Sequence, residues 1–172
     1  MEQATVQMLA ATPLQGIVFG LLTLPICLWV AYTDLSQMKI KNEAVLAMFV
    51  LFVVAGIFVI APFTDYLWRF AHLAVVLAIG FVMNAIGGVG AGDAKFAAAM
   101  APFVALSDWS EILMIFCILL IVTWVGHRLI RMVPAVRNLA PDWKSWTEKK
   151  DFPMGVTLAA TMTTYLGLAA FQ

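Results

Sequence analysis

The chain has 172 residues, of which 63% are hydrophobic and 12% charged, with zero formal net charge and a mean hydropathy of +0.96. A soluble domain normally carries about twice that share of charge and has no means of hiding so much apolar surface. The balanced total charge singles out no partner, and nucleic acid is not expected to be one.

The apolar residues come in blocks of about 20, which match the ~30 Å hydrocarbon layer at a rise of about 1.5 Å per residue. Alternating ten-residue segments, the mark of a membrane β-barrel, are missing. The expectation is therefore an all-α polytopic membrane bundle forming one domain over residues 1–172. The bilayer is its first partner.

Six spans are predicted. The first covers residues 14–33 and is read as a retained helix, because the stretch before it holds no Lys or Arg and so lacks the n-region of a signal peptide. The second and third cover 44–62 and 67–86, and a glycine-rich stretch follows at 87–92. The fourth, 93–106, is short and contains Pro102. The fifth covers 112–132 and the sixth 152–171. Between these last two, residues 133–151 mix Trp143 and Trp146 with lysines and are read as a surface-lying amphipathic segment, with a plain solvated loop as the alternative. Cys27 and Cys117 each fall in an apolar block and read as small packed hydrophobes; no metal site is expected.

Charge asymmetry orients the bundle. With the amino terminus outside, nine of the ten basic residues fall in the connections after spans one, three and five, and only Arg69 lies opposite. That is the positive-inside pattern, and six spans then put both termini on the non-cytoplasmic side.

Eight of the ten acids have a solvated reading, among them Asp65, Asp108 and Glu111 in the outer connections and Glu2 at the amino terminus. Asp34 and Asp93 remain. Asp34 ends span one, and Asp93 opens span four directly after Gly90-Ala91-Gly92, on the same cytoplasmic side. Two close carboxylates share a proton, so that one draws a proton from water while the other polarises a carbonyl. Such chemistry needs no cofactor. The plain alternative for each Asp taken singly is a helix cap or an interfacial anchor. Gly90 and Gly92 lack side chains that would keep an extended substrate backbone away, and free N–H groups at a helix start suit an oxyanion. Lys95 reads either as a substrate contact or as a positive-inside anchor. Asn42 either orients Asp34 or ends a loop, and Asn84 reads as a bond across helices. His72 and His127 fall near opposite faces. The chain has no HExxH and no GxSxG elbow.

Gly90-Ala91-Gly92-Asp93-Ala94-Lys95 resembles the GxGDxK signature of type IV prepilin peptidases, the GxGD membrane aspartic proteases. Asp34 followed by Ile40-Lys41-Asn42 is similar to that family's first motif, an Asp six residues before Ile-Pro-Asn, with Lys41 in place of Pro. Phe152-Pro153-Met154-Gly155 resembles its Pro-Tyr-Gly element, with Met154 in place of Tyr, which brings Pro153 and Gly155 into the candidate site. The resemblance implies that Asp34 and Asp93 are catalytic, and that the substrate is a prepilin cut at the cytoplasmic boundary of the bacterial inner membrane. Larger members carry a cytoplasmic insertion with zinc-binding cysteines and methylate the product. Here the connection after span one is about ten residues without cysteine, similar to the short peptidase-only form serving Flp (Tad) pili, and methylation is not expected. The rival readings are a transporter or proton relay, and a non-catalytic pilus-assembly subunit.

Overall fold

The computed structural model describes residues 8–148 and 151–172; Glu2, Lys149 and Lys150 lie outside them. The described residues form the helices α1 (Pro13–Gln37), α2 (Asn42–Val59), α3 (Phe63–Ala85), α4 (Ala91–Met100), α5 (Trp109–Arg131), α6 (Pro134–Leu139) and α7 (Met154–Phe171). Five of these, α1, α2, α3, α5 and α7, are long and apolar enough to cross a membrane. Their outer surfaces are covered with side chains that water would reject, such as Leu21, Leu28, Phe58, Phe81 and Ile121, all more than half exposed. The chain is an α-helical membrane protein.

The expected fourth span is the exception. Ten residues of α4 rise only about 15 Å, half the hydrocarbon layer. Pro102 has no N–H for the ladder, and the helix gives way to 3-10 turns at Ala101–Phe103 and Leu106–Asp108. By length and composition alone, five helices qualify as spans and α4 does not. The segment nevertheless runs the height of the bundle. It begins beside the carboxyl end of α1 and finishes at Asp108, which accepts hydrogen bonds from the N–H groups of Ala10 (2.6 Å) and Ala11 (3.0 Å), just before α1 begins.

The core sits on α7. This helix packs along most of α1 and also against α4 and α5, and its Met162, Tyr165 and Leu166 are fully buried. Phe19, Phe52 and Phe103 interlock beside it, with edge contacts at 5.1 and 5.2 Å between centroids. Thr123 and Thr157 share a hydrogen bond of 2.6 Å between α5 and α7, a polar tie between helices that hydrophobic force cannot pull together inside lipid.

Three sequence readings change here. Asp108 is not solvated: it is 2% exposed and also accepts the Tyr165 hydroxyl at 2.8 Å, with Arg69 within electrostatic reach. Asn84 does not bond across helices; its Nδ2 donates to the Val89 carbonyl at 2.8 Å and closes the glycine loop on itself. Cys27 is packed as expected, whereas Cys117 is exposed on the outer face. Most of the segment after α5 is exposed, and a single 3-10 turn of it, Lys144–Trp146, reaches inward. Trp146 and Ser145 are buried, and Tyr32, Trp143, Trp146, His127 and Phe152 form a continuous aromatic array with centroid spacings from 5.5 to 6.1 Å.

Replacing Asp108 by Ala strands two backbone N–H groups and the Tyr165 hydroxyl. Unfolding of the detergent-solubilised protein should show a loss of about 2–3 kcal/mol, against about 0.5 kcal/mol or less for Asp65→Ala at the same end. Equal losses would contradict the buried knot.

Candidate active site

Asp34 lies in the last turn of α1 and is 5% exposed. The helix stops three residues later because Met38 takes the left-handed conformation (φ 54°), which turns the chain sharply into a connection of only residues 38–41. The shortness expected for this connection is observed. Asp34 Oδ2 accepts the N–H of Gly155 at 2.6 Å, and the N–H of Val156 also points at the carboxylate. Both donors belong to the first turn of α7, where helix N–H groups lack partners and the dipole favours negative charge. Asp34 is thus a cap, but for a helix 121 positions away rather than for its own.

Gly155 makes this approach feasible. A Cβ there would stand 2.8 Å from Asp34 Oδ2 and 3.0 Å from Ile40 Cδ1. Pro153 precedes it as the buried N-cap residue of α7, supplying a fixed φ at the helix entrance. The resemblance to a Pro-x-Gly element therefore has a local physical reason.

Asp93 sits in the first turn of α4, whose N-cap is Gly90. Its carboxylate folds back over that residue: the Gly90 N–H faces it, and a Cβ at Gly90 would fall 2.5 Å from Oδ2. At Gly92 a Cβ would meet the Cβ of Ile40 at 3.3 Å. Both vacated positions are filled from within the protein. The glycines make room for Asp93 and Ile40, not, on those sides, for a passing substrate backbone.

Ile40 is the residue that sequence reasoning passed over. It touches Gly92 of the second motif and Gly155 of the third while belonging to the first. The only signal for it was its place in the first motif beside Lys41 and Asn42. Lys95 and Asn42 meet each other instead of the carboxylates, Nζ donating to Oδ1 at 3.4 Å across α4 and α2. That bond is exposed and belongs to the rim.

The two acids are brought to one end of the bundle, and Asp93 lies within electrostatic reach of Asp34. The start of α7 is near both: Gly155 bonds Asp34, and Met154 lines the same groove as Asp93. Among the described residues no three His, Cys, Asp or Glu side chains gather as metal ligands would. Two carboxylates so disposed can hold a water and polarise a carbonyl.

Residues 21–125, well over half of the chain, match the sequence profile of the type IV leader peptidase family. The chain belongs to that family. The matched region includes Asp34, the short connection, the glycine loop and Asp93, but stops before Gly155. No curated protein and no solved structure matches the chain. As a type IV leader peptidase family member it is a peptidase, and the Asp34 cap on α7 is the contact its site geometry turns on.

Gly155→Ala should therefore lower peptidase turnover by about 10²-fold, because a shift of about 1 Å in a catalytic group has that effect. Gly167→Ala, on the same helix but with nothing within 4 Å of the added methyl, should leave turnover unchanged. Assays of both variants in membranes, with protein levels matched, check this.

Proposed function

We propose that this protein is an aspartic endopeptidase that removes the short cytoplasmic leader from prepilin-like proteins, of the Flp type, at the boundary of the bacterial inner membrane. The observation that carries the reading is that Asp34 and Asp93 lie within electrostatic reach of each other at one end of the bundle in a chain of the leader peptidase family.

In this mechanism the two carboxylates share one proton and hold one water. The ionised member takes a proton from the water as the water oxygen attacks the carbonyl carbon of the last leader residue. The protonated member gives its proton to the carbonyl oxygen. The tetrahedral intermediate then collapses, the C–N bond breaks, and a proton passes from a carboxyl to the departing amine. No metal and no cofactor enters. Methylation of the new amino terminus is not part of the reading, since nothing is built into the four-residue connection 38–41.

Charge distribution supports a cytoplasmic site. Lys39, Lys41, Lys95, Arg128, Arg131, Arg137 and Lys144 all belong to the end of the bundle that carries Asp34, and Arg69 belongs to the other. We count α4 with its 3-10 turns as a sixth, irregular crossing, which puts both termini outside. Irregular backbone at membrane depth is tolerated where protein surrounds it, and Met100 through Ala105 are buried. A transporter would instead hold its acids near the midplane.

Co-expression with a tagged prepilin tests the reading. Asp34→Asn and Asp93→Asn should each reduce leader removal by at least about 10³-fold, with protein levels unchanged. Asn keeps an oxygen for the Gly155 N–H, so the fold is spared while the acid is lost. Processing that survives both substitutions would end the proposal. A chelator should leave processing by the wild-type protein unaltered.

A further inference from the structure

The connection between α1 and α2 is short and fixed at both ends. The Met38 N–H donates to the Asp34 carbonyl at 2.9 Å, and the carbonyl of Lys41, the N-cap residue of α2, accepts the Ala44 N–H at 3.1 Å. Between these ends Lys39 is exposed, whereas Ile40 packs against the core.

Ile40 meets two glycines, and each glycine stands next to one acid. Its Cδ1 fills the place that a side chain at Gly155 would need, 3.0 Å from where that Cβ would lie. Gly155 holds Asp34 through its N–H. The Ile40 Cβ lies 3.3 Å, and its carbonyl oxygen 3.6 Å, from where a Cβ at Gly92 would lie. Gly92 immediately precedes Asp93. One side chain is thus wedged between the segments that carry the two carboxylates. Those carboxylates are within electrostatic reach of each other, yet among the described residues no hydrogen bond joins them.

Separation decides what such a pair can do. In direct contact two carboxylates share a proton and leave no room for a nucleophile, and too far apart they cannot both reach one water. An error of about 1 Å in placement is already costly. Isoleucine suits the task of a spacer, because its β-branch restricts χ1 and so fixes the direction of its reach.

We propose that Ile40 is a positioning residue, which holds Gly155 and Gly92 apart and thereby sets the gap between Asp34 and Asp93 in which the water sits. This rests on the catalytic reading above. Ile40 acts through the two glycines and not on the reacting atoms. A shorter side chain lets the start of α7 and the glycine loop close on each other. The carboxylates then lose their placement about the water, and the chemical step slows while substrate binding is kept.

Rates on a purified Flp-type prepilin, with the full chain in proteoliposomes, test the role. Ile40→Ala should lower kcat by at least about tenfold and leave KM within about twofold, the pattern of an interaction lost from the transition state. Ile40→Val removes only Cδ1, keeps the contact at Gly92, and should lower kcat about threefold. Leu166→Ala empties a fully buried position on α7, about 16 Å along the helix from Gly155. It should lower the thermal midpoint at least as far as Ile40→Ala yet leave kcat unchanged. Unchanged kcat in Ile40→Val, a loss carried mainly by KM, or an equal loss of kcat in Leu166→Ala overturns the proposal. The contact itself has a readout that needs no catalysis. In a Cys117→Ser background, Ile40→Cys with Gly92→Cys should close a disulfide on mild oxidation, since that Cβ spacing is near the usual ~3.8 Å. Thiols that stay free to label overturn the proposal as well. Failure of the catalytic reading shows separately, as processing that survives Asp34→Asn and Asp93→Asn while the disulfide still forms.

Discussion

Much of this structure depends on a single hydrogen bond from a backbone N–H at the start of the last helix to a carboxylate at the end of the first. Asp34 and Gly155 are far apart in sequence, and their contact closes the bundle as a ring closes on its clasp. A carboxylate accepting from a helix amino terminus is among the stronger hydrogen bonds a backbone can make, and little water is present to compete with it here. The contact also sets its surroundings. With α7 held against α1, Ile40 wedges between Gly155 and Gly92, and the loop that carries Asp93 is set beside Asp34. The proposed catalytic pair is thus assembled by packing around one acid, not by a direct bond between the two.

The other end of the bundle repeats the device with a different purpose. Asp108 gathers the chain before α1, the carboxyl-terminal half of α7 through Tyr165, and the 3-10 turn ahead of α5. Tyr165 in turn accepts the N–H of Ala105, a group that the broken end of α4 leaves without a helical partner. Gln172 adds bonds to the carbonyls of Leu9 and Ala11. One buried acid at each end draws together the same pair of helices, α1 and α7.

The class of the protein, its long helices and the two exceptional acids were all legible in the sequence, because hydropathy and the cost of burying charge in lipid act locally and are visible in one dimension. The glycine before Asp93 was legible too, although its reason was not: the carboxylate occupies the missing side chain's place. Asp108 was misread because nothing in its neighbours Ser107 and Trp109 reveals that the residues before α1 and the carboxyl-terminal half of α7 will converge on it. Ile40 was passed over for the same reason, since an isoleucine between two lysines gives no hint of three-way packing. Trp143 and Trp146 did signal an amphipathic segment, yet their partners Tyr32 and His127 sit on two other helices, so the inward turn had to be seen in three dimensions. Contacts of long range were the common blind spot.

The interrupted fourth helix has a mechanical corollary. Its unwound carbonyl at Pro102 is held by Arg69 Nη1 at 3.3 Å, which ties the amino-terminal half of α3 to the core. Among the described residues no comparable side-chain bond ties the other half of α3 to a neighbouring helix; there it rests on α4 through the close seat of Gly80 on Ala94. Strain applied to α3 would therefore be resisted unequally along its length, as on a door hung from one jamb. The end at the guanidinium is held by a directional bond, and the end at the glycine loop by packing alone.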